Sequence, residues 1–200
     1  MQPLPLIQLA GELHRITTPH VIIGGLAAAT YLPGRVTEDL DLLIHAPTAD
    51  RLRAELDQFG ATWRGRLAVG GATYQLPSGL LIDVIESTAP WVPSALSRPA
   101  RTPSGFPIIR LPYLILLKLE ASRARDVADI SGILGRASDQ QLDGVRQVIR
   151  AYLPDSLADL DSLIQLGRLE ARAAPPPPQQ TERPGQDPPA ARPKAPGRDR

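Results

Sequence analysis

Two aspartates in residues 21–44, VIIGGLAAATYLPGRVTEDLDLLI, have the type and spacing of a carboxylate pair that binds a cation. Asp39 and Asp41 are separated by one residue. Alternate side chains of a β-strand share a face, so both carboxylates are expected to point the same way while the intervening apolar residues face the core. Two carboxylates on a rigid strand close to a glycine turn are suited to holding a divalent metal ion and a nucleoside triphosphate.

A third carboxylate is expected to complete this site. Asp83 interrupts the apolar run at residues 80–85, where an unpaired charge would be costly to bury. If its strand lies beside that of Asp39 and Asp41, three like charges meet and repel one another unless a cation sits among them. Mg²⁺ suits such a site, with Mn²⁺ as the alternative, because it prefers carboxylate and phosphate oxygens. Two ions about 3.5–4 Å apart would activate the attacking oxygen and stabilise a pyrophosphate leaving group.

A glycine pair supplies the phosphate-binding half of the predicted site. Gly24 and Gly25 stand between a strand and the start of a helix, where the backbone can approach a phosphate and the first helical N–H groups are free. Arg35 and Thr37 precede the carboxylates at alternate positions. We assign Arg35 to holding a phosphate and Thr37 to orienting Asp39 or the turn.

Each of these features also has a structural interpretation. A lone Gly-Gly pair is more often a turn than a phosphate site, and a D-x-D pair is commonly a solvated strand end. Asp83 could form an ion pair with an arginine. Their occurrence together, in this order and beside predicted strands, favours the functional interpretation.

Apolar periodicity predicts the elements that position these side chains. The predicted helices are residues 5–17 and 26–32, a helix capped by Thr48 or Asp50 that ends at Phe59, and residues 113–122, 127–136, 139–153 and 156–172. The predicted strands are residues 20–23, 38–44, 61–69, 72–76 and 80–86. The fold class is therefore α+β: a mixed sheet with flanking helices in residues 1–110, followed by a helical region at residues 111–172.

Composition sets further limits. Residues 173–200 are rich in proline and contain no aliphatic residue larger than alanine, so this tail is expected to be disordered. The formal net charge of +1 does not favour nucleic acid or an anionic membrane as a partner. Cysteine is absent, and the three histidines lack the spacing of a zinc site. No apolar run reaches membrane-spanning length and no signal-peptide pattern is present, so we predict a cytoplasmic protein without a membrane partner.

With these motifs, the chain resembles the nucleotidyltransferase superfamily that shares the DNA polymerase beta palm. That superfamily's signature is an apolar residue followed by Gly and then Gly or Ser, a spacer, Asp-x-Asp or Asp-x-Glu, and a third carboxylate on a later strand. Here the signature reads Ile23-Gly24-Gly25, Asp39-Leu40-Asp41 and Asp83. The string G-G-L-A…R-V-T-E-D-L-D most resembles small bacterial proteins related to the AbiEii toxins, over residues 5–135.

The resemblance implies a palm-like sheet and a role for each matched residue. Gly24 and Gly25 match the turn that binds the nucleotide phosphates. Asp39 and Asp41 match the metal ligands. Asp83 matches the third acid, a further metal ligand that in polymerising relatives assists deprotonation of the acceptor hydroxyl.

AbiEii-like proteins also carry a helical lysine followed by a segment rich in Arg and Asp, which matches KLEASRARD at residues 118–126. The resemblance implies that Lys118 contacts a triphosphate oxygen and that Asp126 orients a cation or binds the acceptor. Asp129 shares a helix face with Asp126. The structural alternative for Lys118 is a solvated helix residue with an apolar stem.

The implied function is magnesium-dependent transfer of a nucleoside monophosphate from a nucleoside triphosphate to an acceptor hydroxyl. The acceptor is an RNA such as tRNA, a small molecule or a protein, and the toxin resemblance adds a cognate antitoxin as a partner. The alternative is a non-catalytic nucleotide-binding or antitoxin-like regulatory protein that retains the fold. Two further features bear on the acceptor: Trp63 and Trp91 are either core or acceptor-site surface, and a basic patch for RNA would consist of Arg51, Arg53, Arg64 and Arg66.

Overall fold

In the part of the chain that the structure describes, the frame of the molecule is a seven-stranded mixed sheet. The computed structural model describes residues 12–173 except 33, 36 and 38. The strands are β1 (His20–Ile22), β2 (Leu40–His45), β3 (Thr62–Arg66), β4 (Gly71–Gln75), β5 (Leu81–Ser87), β6 (Ala100–Arg101) and β7 (Pro107–Ile108). They pair in the order β3-β4-β5-β2-β1-β7-β6. The helices are α1 (Gly24–Tyr31), α2 (Ala49–Gln58), α3 (Val92–Ser97), α4 (Leu111–Ala121), α5 (Ala124–Leu134), α6 (Asp139–Tyr152) and α7 (Leu157–Ala173).

Strand β2 lies at the centre of this sheet, antiparallel to β1 and parallel to β5. Its apolar residues Leu40, Leu42, Leu43 and Ile44 are all buried. Because neighbouring residues of a strand point to opposite faces, β2 is covered on both sides, which explains its nearly unbroken apolar sequence. The expectation that the strand of Asp83 lies beside the strand of Asp41 is confirmed.

All the described elements from α4 onward are helices, so the predicted mixed sheet followed by a helical half is confirmed. Helix α4 packs against α6, and α5 against α7. Helices α5 and α7 approach so closely that a Cβ on Gly167 of α7 would overlap the carbonyl oxygen of Ser131 in α5, which explains the glycine at this position. The domain boundaries at residues 110 and 172 stay a prediction.

Several predicted boundaries differ from those in the structure. Strand β2 begins at Leu40, so Asp39 precedes the strand and the alternation argument applies to Asp41 alone. Strand β3 ends at Arg66 instead of residue 69, because the chain turns where the Gly70 N–H donates to the carbonyl of Leu67. Three short elements, α3, β6 and β7, occupy the proline-rich connection where no element was predicted. Most of the predicted helix 5–17 and the predicted disordered tail lie outside the described residues.

The two tryptophans have different environments. Trp91 is 2% exposed and stacks on Tyr113, so it belongs to the core. Trp63 on strand β3 is 56% exposed and is therefore surface. Among the described helices, none combines the length and apolar character needed to cross a bilayer.

Glu55 of α2 ties the segment before β1 to the body of the protein. Its carboxylate accepts hydrogen bonds from the backbone N–H groups of Thr17 and Thr18, both at 3.0 Å, and from the Thr17 hydroxyl at 2.5 Å. Burial alone would raise the pKa of Glu55, but these hydrogen bonds outweigh it and lower the pKa from 4.5 to about 2.

We expect Glu55→Gln to lower the free energy of unfolding by about 1 kcal/mol near neutral pH, because the hydrogen bonds lose their charged acceptor. A lowered folded-state pKa contributes stability that is complete above pH 4.5 and is lost as the pH falls towards 2. Urea denaturation between pH 7 and pH 2 should therefore show the wild-type and variant curves converging at the acid end. Asp57→Asn, at an exposed carboxylate of the same helix, is the matched control; a variant curve parallel to the wild type would contradict this assignment.

Candidate active site

All the residues assigned to a site from sequence line one cleft of about 440 Å³. The cleft lies between the carboxyl-bearing strands β2 and β5, the start of α1 and the helices α4 and α5. Its lining residues are Gly24, Gly25, Arg35, Thr37, Asp39, Asp41, Asp83, Lys118, Arg123, Arg125, Asp126 and Asp129. The structure thus brings together side chains that are up to about a hundred residues apart in the chain.

The central carboxylates are placed by strand register. Asp41 on β2 and Asp83 on β5 are directly paired in the parallel ladder, so they lie side by side on one face of the sheet. Thr73 on β4 is paired with Asp83 on its other side, and its hydroxyl donates to Oδ1 of Asp83 at 2.6 Å. Asp39 lies one residue before β2, at the exposed edge of the cleft, where its backbone N–H donates to the Thr37 hydroxyl at 3.3 Å.

Asp41 is the electrostatic focus of this group. Its burial, together with the charges of Asp83 and Asp39, raises the pKa of Asp41 from 3.8 to about 6, against the opposing effect of Arg123 and Lys118. The cleft lining carries five aspartates and four arginine or lysine side chains, so its carboxylates outnumber its cations. A bound cation would relieve this repulsion.

The oxygen donors of the cleft fit a magnesium ion that takes its remaining ligands from a substrate phosphate and water. Among the residues that the structure describes, no three His, Asp, Glu or Cys side chains come close enough together to form a metal centre by themselves. Mg²⁺ seldom uses such a cage, and it usually binds one or two carboxylates, substrate phosphates and water. The paired Asp41 and Asp83 provide the two carboxylates that this mode requires.

The glycine pair is required by close contact with the acidic segment. Gly24 has a φ of +64°, and a Cβ at this position would overlap Oδ2 of Asp41. A Cβ on Gly25 would crowd the side chain of Thr37 in the same way. These two glycines are also the first residues of α1. The N–H groups of this first turn, which have no partner within the helix, therefore lie at the cleft lining.

We expect Gly24→Ala to slow any reaction that depends on the Asp41 carboxylate about 100-fold. A Cβ there displaces this carboxylate, and small misplacements of reacting groups have effects of this size. The left-handed backbone also adds about 1 kcal/mol of strain. Gly105→Ala is the matched control, since Gly105 has a φ of +86° with nothing within 4 Å of the added Cβ. Activity and urea denaturation would be measured for both; equal activities in the two variants would contradict the close-contact explanation.

Lys118 is a buried cation and not a solvated helix residue. It is 5% exposed, and its Nζ donates to Asp126 at 2.8 Å and to Asp129 at 2.7 Å. Arg123 donates to the second oxygen of Asp126 at 2.6 Å, and Arg35 donates to Asp129 at 3.0 Å. The structural alternative for Lys118 is therefore wrong. The phosphate roles of Lys118 and Arg35 stay predictions, since both cations have carboxylate partners in this state.

The turn between α4 and α5 creates this network. Ser122 has a φ of 48°, in the left-handed region, and it reverses the chain so that α5 packs against α4. Asp126 and Asp129 then both reach Lys118. Sequence reasoning placed these two aspartates on one helix face but did not identify Arg123, Arg125 or Thr73 as part of the site. For the arginines the signal was their place within the Arg- and Asp-rich segment; for Thr73 the sequence contains no distinguishing signal.

The arginines predicted as a patch for RNA are largely engaged within the protein. Arg53 pairs with Glu86 at 2.9 Å and with Asp50 at 2.7 Å. Arg51 pairs with Glu55 at 3.3 Å, and Arg64 donates to Gln75. A basic surface whose charges are matched by neighbouring carboxylates attracts phosphate only weakly.

Comparison with known proteins leaves the family open. No family model matches the chain, and no curated protein matches it. The solution structure of the antibiotic-resistance factor ANT(2'')-Ia aligns with 84% of this chain and 95% of its own, at 16% identity and a TM-score of 0.44. The crystal structure of ANT(2'')-Ia with adenylyl-2''-tobramycin covers 84% and 97%, also at 16% identity and 0.44. A proposed nucleotidyltransferase from Thermotoga maritima covers 62% and 86%, at 14% identity and 0.41. Resemblances at these values assign neither a family nor an activity to this chain.

Proposed function

We propose that the protein is a nucleotidyltransferase, which transfers a nucleoside monophosphate from a nucleoside triphosphate to an acceptor hydroxyl. The observation that carries this proposal is the pairing of Asp41 with Asp83 in the parallel ladder, directly beside the start of α1 at Gly24. The pairing places two carboxylates and free helical N–H groups in one cleft. Phosphoryl transfer needs mainly this combination of positioning and charge neutralisation.

Divalent metal, Mg²⁺ or Mn²⁺, would be held by Asp41 and Asp83 with Asp39 at the edge, and it would supply charge neutralisation for the phosphates. The N–H groups at Gly24 and Gly25 bind phosphate oxygens, assisted by the positive end of the α1 dipole. Thr37 fixes the backbone of Asp39.

The acceptor oxygen attacks the α-phosphorus of the triphosphate. The bond from that phosphorus to the bridging oxygen breaks, and pyrophosphate leaves with the bonding electrons. Asp83 accepts the hydroxyl proton through a lone pair that neither the Thr73 hydroxyl, which donates to Oδ1, nor a bound metal ion would use.

A direct test is nucleotide binding followed by transfer. The full chain would be incubated with each of the four α-³²P-labelled nucleoside triphosphates and Mg²⁺, with total bacterial RNA, hydroxylated small molecules or protein as acceptors. We expect binding that requires Mg²⁺ and label transfer that is lost in Asp39→Ala/Asp41→Ala. Binding without transfer to any acceptor would favour the alternative, a nucleotide-binding regulatory protein, and an absence of binding would refute both.

The pairing of Arg51 and Arg53 with carboxylates supports a small molecule or a protein over RNA as the acceptor. RNA as the acceptor would require binding with a steep salt dependence, which a titration between 50 mM and 200 mM salt measures.

The biological setting that we propose, from the resemblance to AbiEii-like proteins, is a cytoplasmic toxin-type enzyme with a cognate antitoxin. Growth arrest on expression of the intact protein, absent for the double aspartate variant, is the corresponding measurement. Normal growth with the intact protein would contradict the toxin role without bearing on the chemistry.

A further inference from the structure

A second cavity, of about 300 Å³, adjoins the carboxylate cleft and has a different chemical character. The two share a wall made of Gly24, Asp41, Lys118, Arg123 and Asp126. The residues that line only the second cavity are all apolar: Ile23, Val69, Ile85, Leu114, Leu117 and Ala121. One face of Asp41 therefore borders a polar cleft while the other borders an apolar cavity.

We propose that this cavity binds an uncharged aliphatic or aryl group of the acceptor and so presents the acceptor hydroxyl to the Asp41–Asp83 pair. This inference rests on the proposed nucleotidyltransferase function and names its acceptor class. An acceptor of this class is an apolar alcohol or phenol, in contrast to a sugar, a polyamine or an RNA.

The size and floor of the cavity fit such a group. Its volume is about twice the ~150 Å³ of an apolar protein cavity that binds benzene. Ile23 and Leu114, 4% and 0% exposed, are the part of its lining that belongs to the buried core. Val69, on the turn between β3 and β4, is 74% exposed and stands at the rim, where an apolar ligand would remove it from water.

The lining argues against a nucleobase as the occupant. None of the residues that line only this cavity carries a side-chain hydrogen-bond donor or acceptor, so a base that filled it would find side-chain partners for its polar edges only at the shared wall and would lose water elsewhere.

The lining also argues against a polycationic group as the occupant of this cavity. In the shared wall, Asp126 is already bonded to Lys118 and Arg123, which leaves Asp41 as the one carboxylate there without an ion pair among the described residues. A single carboxylate that is also a candidate metal ligand cannot pair several ammonium groups.

Simple alcohols test this assignment on the full chain. Saturation-transfer NMR would compare 2-phenylethanol with glycerol and ethanolamine as probes. We expect 2-phenylethanol to bind at least about tenfold more tightly than the two polar alcohols. Val69→Asp should weaken the binding of 2-phenylethanol about tenfold. Leu169→Asp, at a 63% exposed leucine of α7, is the matched control and should change nothing. Equal binding of the three alcohols, or equal loss in both variants, would overturn the assignment.

Competition separates the acceptor from the nucleobase. Binding of 2-phenylethanol should persist when each nucleoside triphosphate is added to saturation with Mg²⁺; displacement by nucleotide would overturn the inference by assigning the cavity to the base. Label from an α-³²P-labelled triphosphate should enter 2-phenylethanol in preference to glycerol.

The two proposals fail in distinguishable ways. Nucleotide binding without alcohol binding would refute the acceptor assignment and leave the nucleotidyltransferase proposal standing. Alcohol binding sensitive to Val69→Asp, in a protein that binds no nucleotide, would refute the nucleotidyltransferase proposal and the acceptor role with it.

Discussion

Asp41→Asn is expected to lower the proposed nucleotidyl transfer about 1,000-fold, because it removes a carboxylate that, under the proposed function, would hold a divalent metal ion beside the reacting phosphate. Metal-ion charge stabilisation contributes several kcal/mol to such reactions, and each 1.36 kcal/mol is a factor of ten in rate. The measurement is transfer of an α-phosphate label to the acceptor, together with Mg²⁺-dependent nucleotide binding by calorimetry. Asp57→Asn, an exposed carboxylate remote from the cleft lining, should retain full activity.

The same substitution is expected to stabilise the fold at neutral pH. Because the pKa of Asp41 is raised from 3.8 to about 6, the folded protein keeps a proton there that the unfolded chain releases. The linkage relation then makes this group increasingly destabilising as the pH rises from 3.8 to 6, with the full penalty above pH 6. Asp41→Asn carries no such penalty, so its advantage in melting temperature over the wild type should grow across this range and then level off.

Addition and removal of Mg²⁺ test the proposed metal-binding role of Asp41 through the melting temperature. Mg²⁺ should raise the melting temperature of the wild type above pH 6 and have little effect on Asp41→Asn, and a chelator should reverse the shift. An Asp41→Asn protein that kept full transfer activity, or that gained stability from Mg²⁺ as the wild type does, would eliminate Asp41 as a metal ligand.

Lys118→Met is expected to have the largest effect on stability, a loss of about 3 kcal/mol in the free energy of unfolding. Removal of one partner from a buried ion pair leaves an uncompensated charge, at a typical cost of about 3–5 kcal/mol. The lower end applies because Arg123 and Arg35 still pair with Asp126 and Asp129. Urea denaturation with linear extrapolation measures the change.

A double-mutant cycle separates the charge effect from lost packing. Asp129→Asn in the Lys118→Met background removes one of the two carboxylates that have lost the ammonium group, so the double variant should lose less unfolding free energy than the sum of the losses in the two single variants. Lys118→Leu/Asp126→Asn/Asp129→Asn should recover part of the stability, because it removes all three buried charges, while Arg35 and the exposed Arg123 lose these carboxylate partners. A loss below about 1 kcal/mol in Lys118→Met would show that the ammonium group is not buried as the structure has it.

Local patterns predicted much of the site because they need no long-range contact. The Gly-Gly pair, the apolar run of β2 and the position of Asp41 within it all follow from alternation and backbone freedom in one short segment. Alternation did not apply to Asp39, because a strand's first residue depends on where its pairing with the neighbour begins. The elements α3, β6 and β7 escaped prediction because they are six residues or shorter and show no periodicity.

The sequence by itself determined the carboxylates, the glycines and the order of the longer strands and helices, since residue type and local periodicity are properties of short segments. The tertiary structure decided two further points. One is the register of β2 against β5, which puts Asp41 opposite Asp83 and Asp83 against Thr73. The other is the burial of Lys118: α4 is apolar on nearly every side, and only the reversal at Ser122 brings two aspartates to its ammonium group. Both depend on contacts between segments far apart in the chain, which no local pattern encodes.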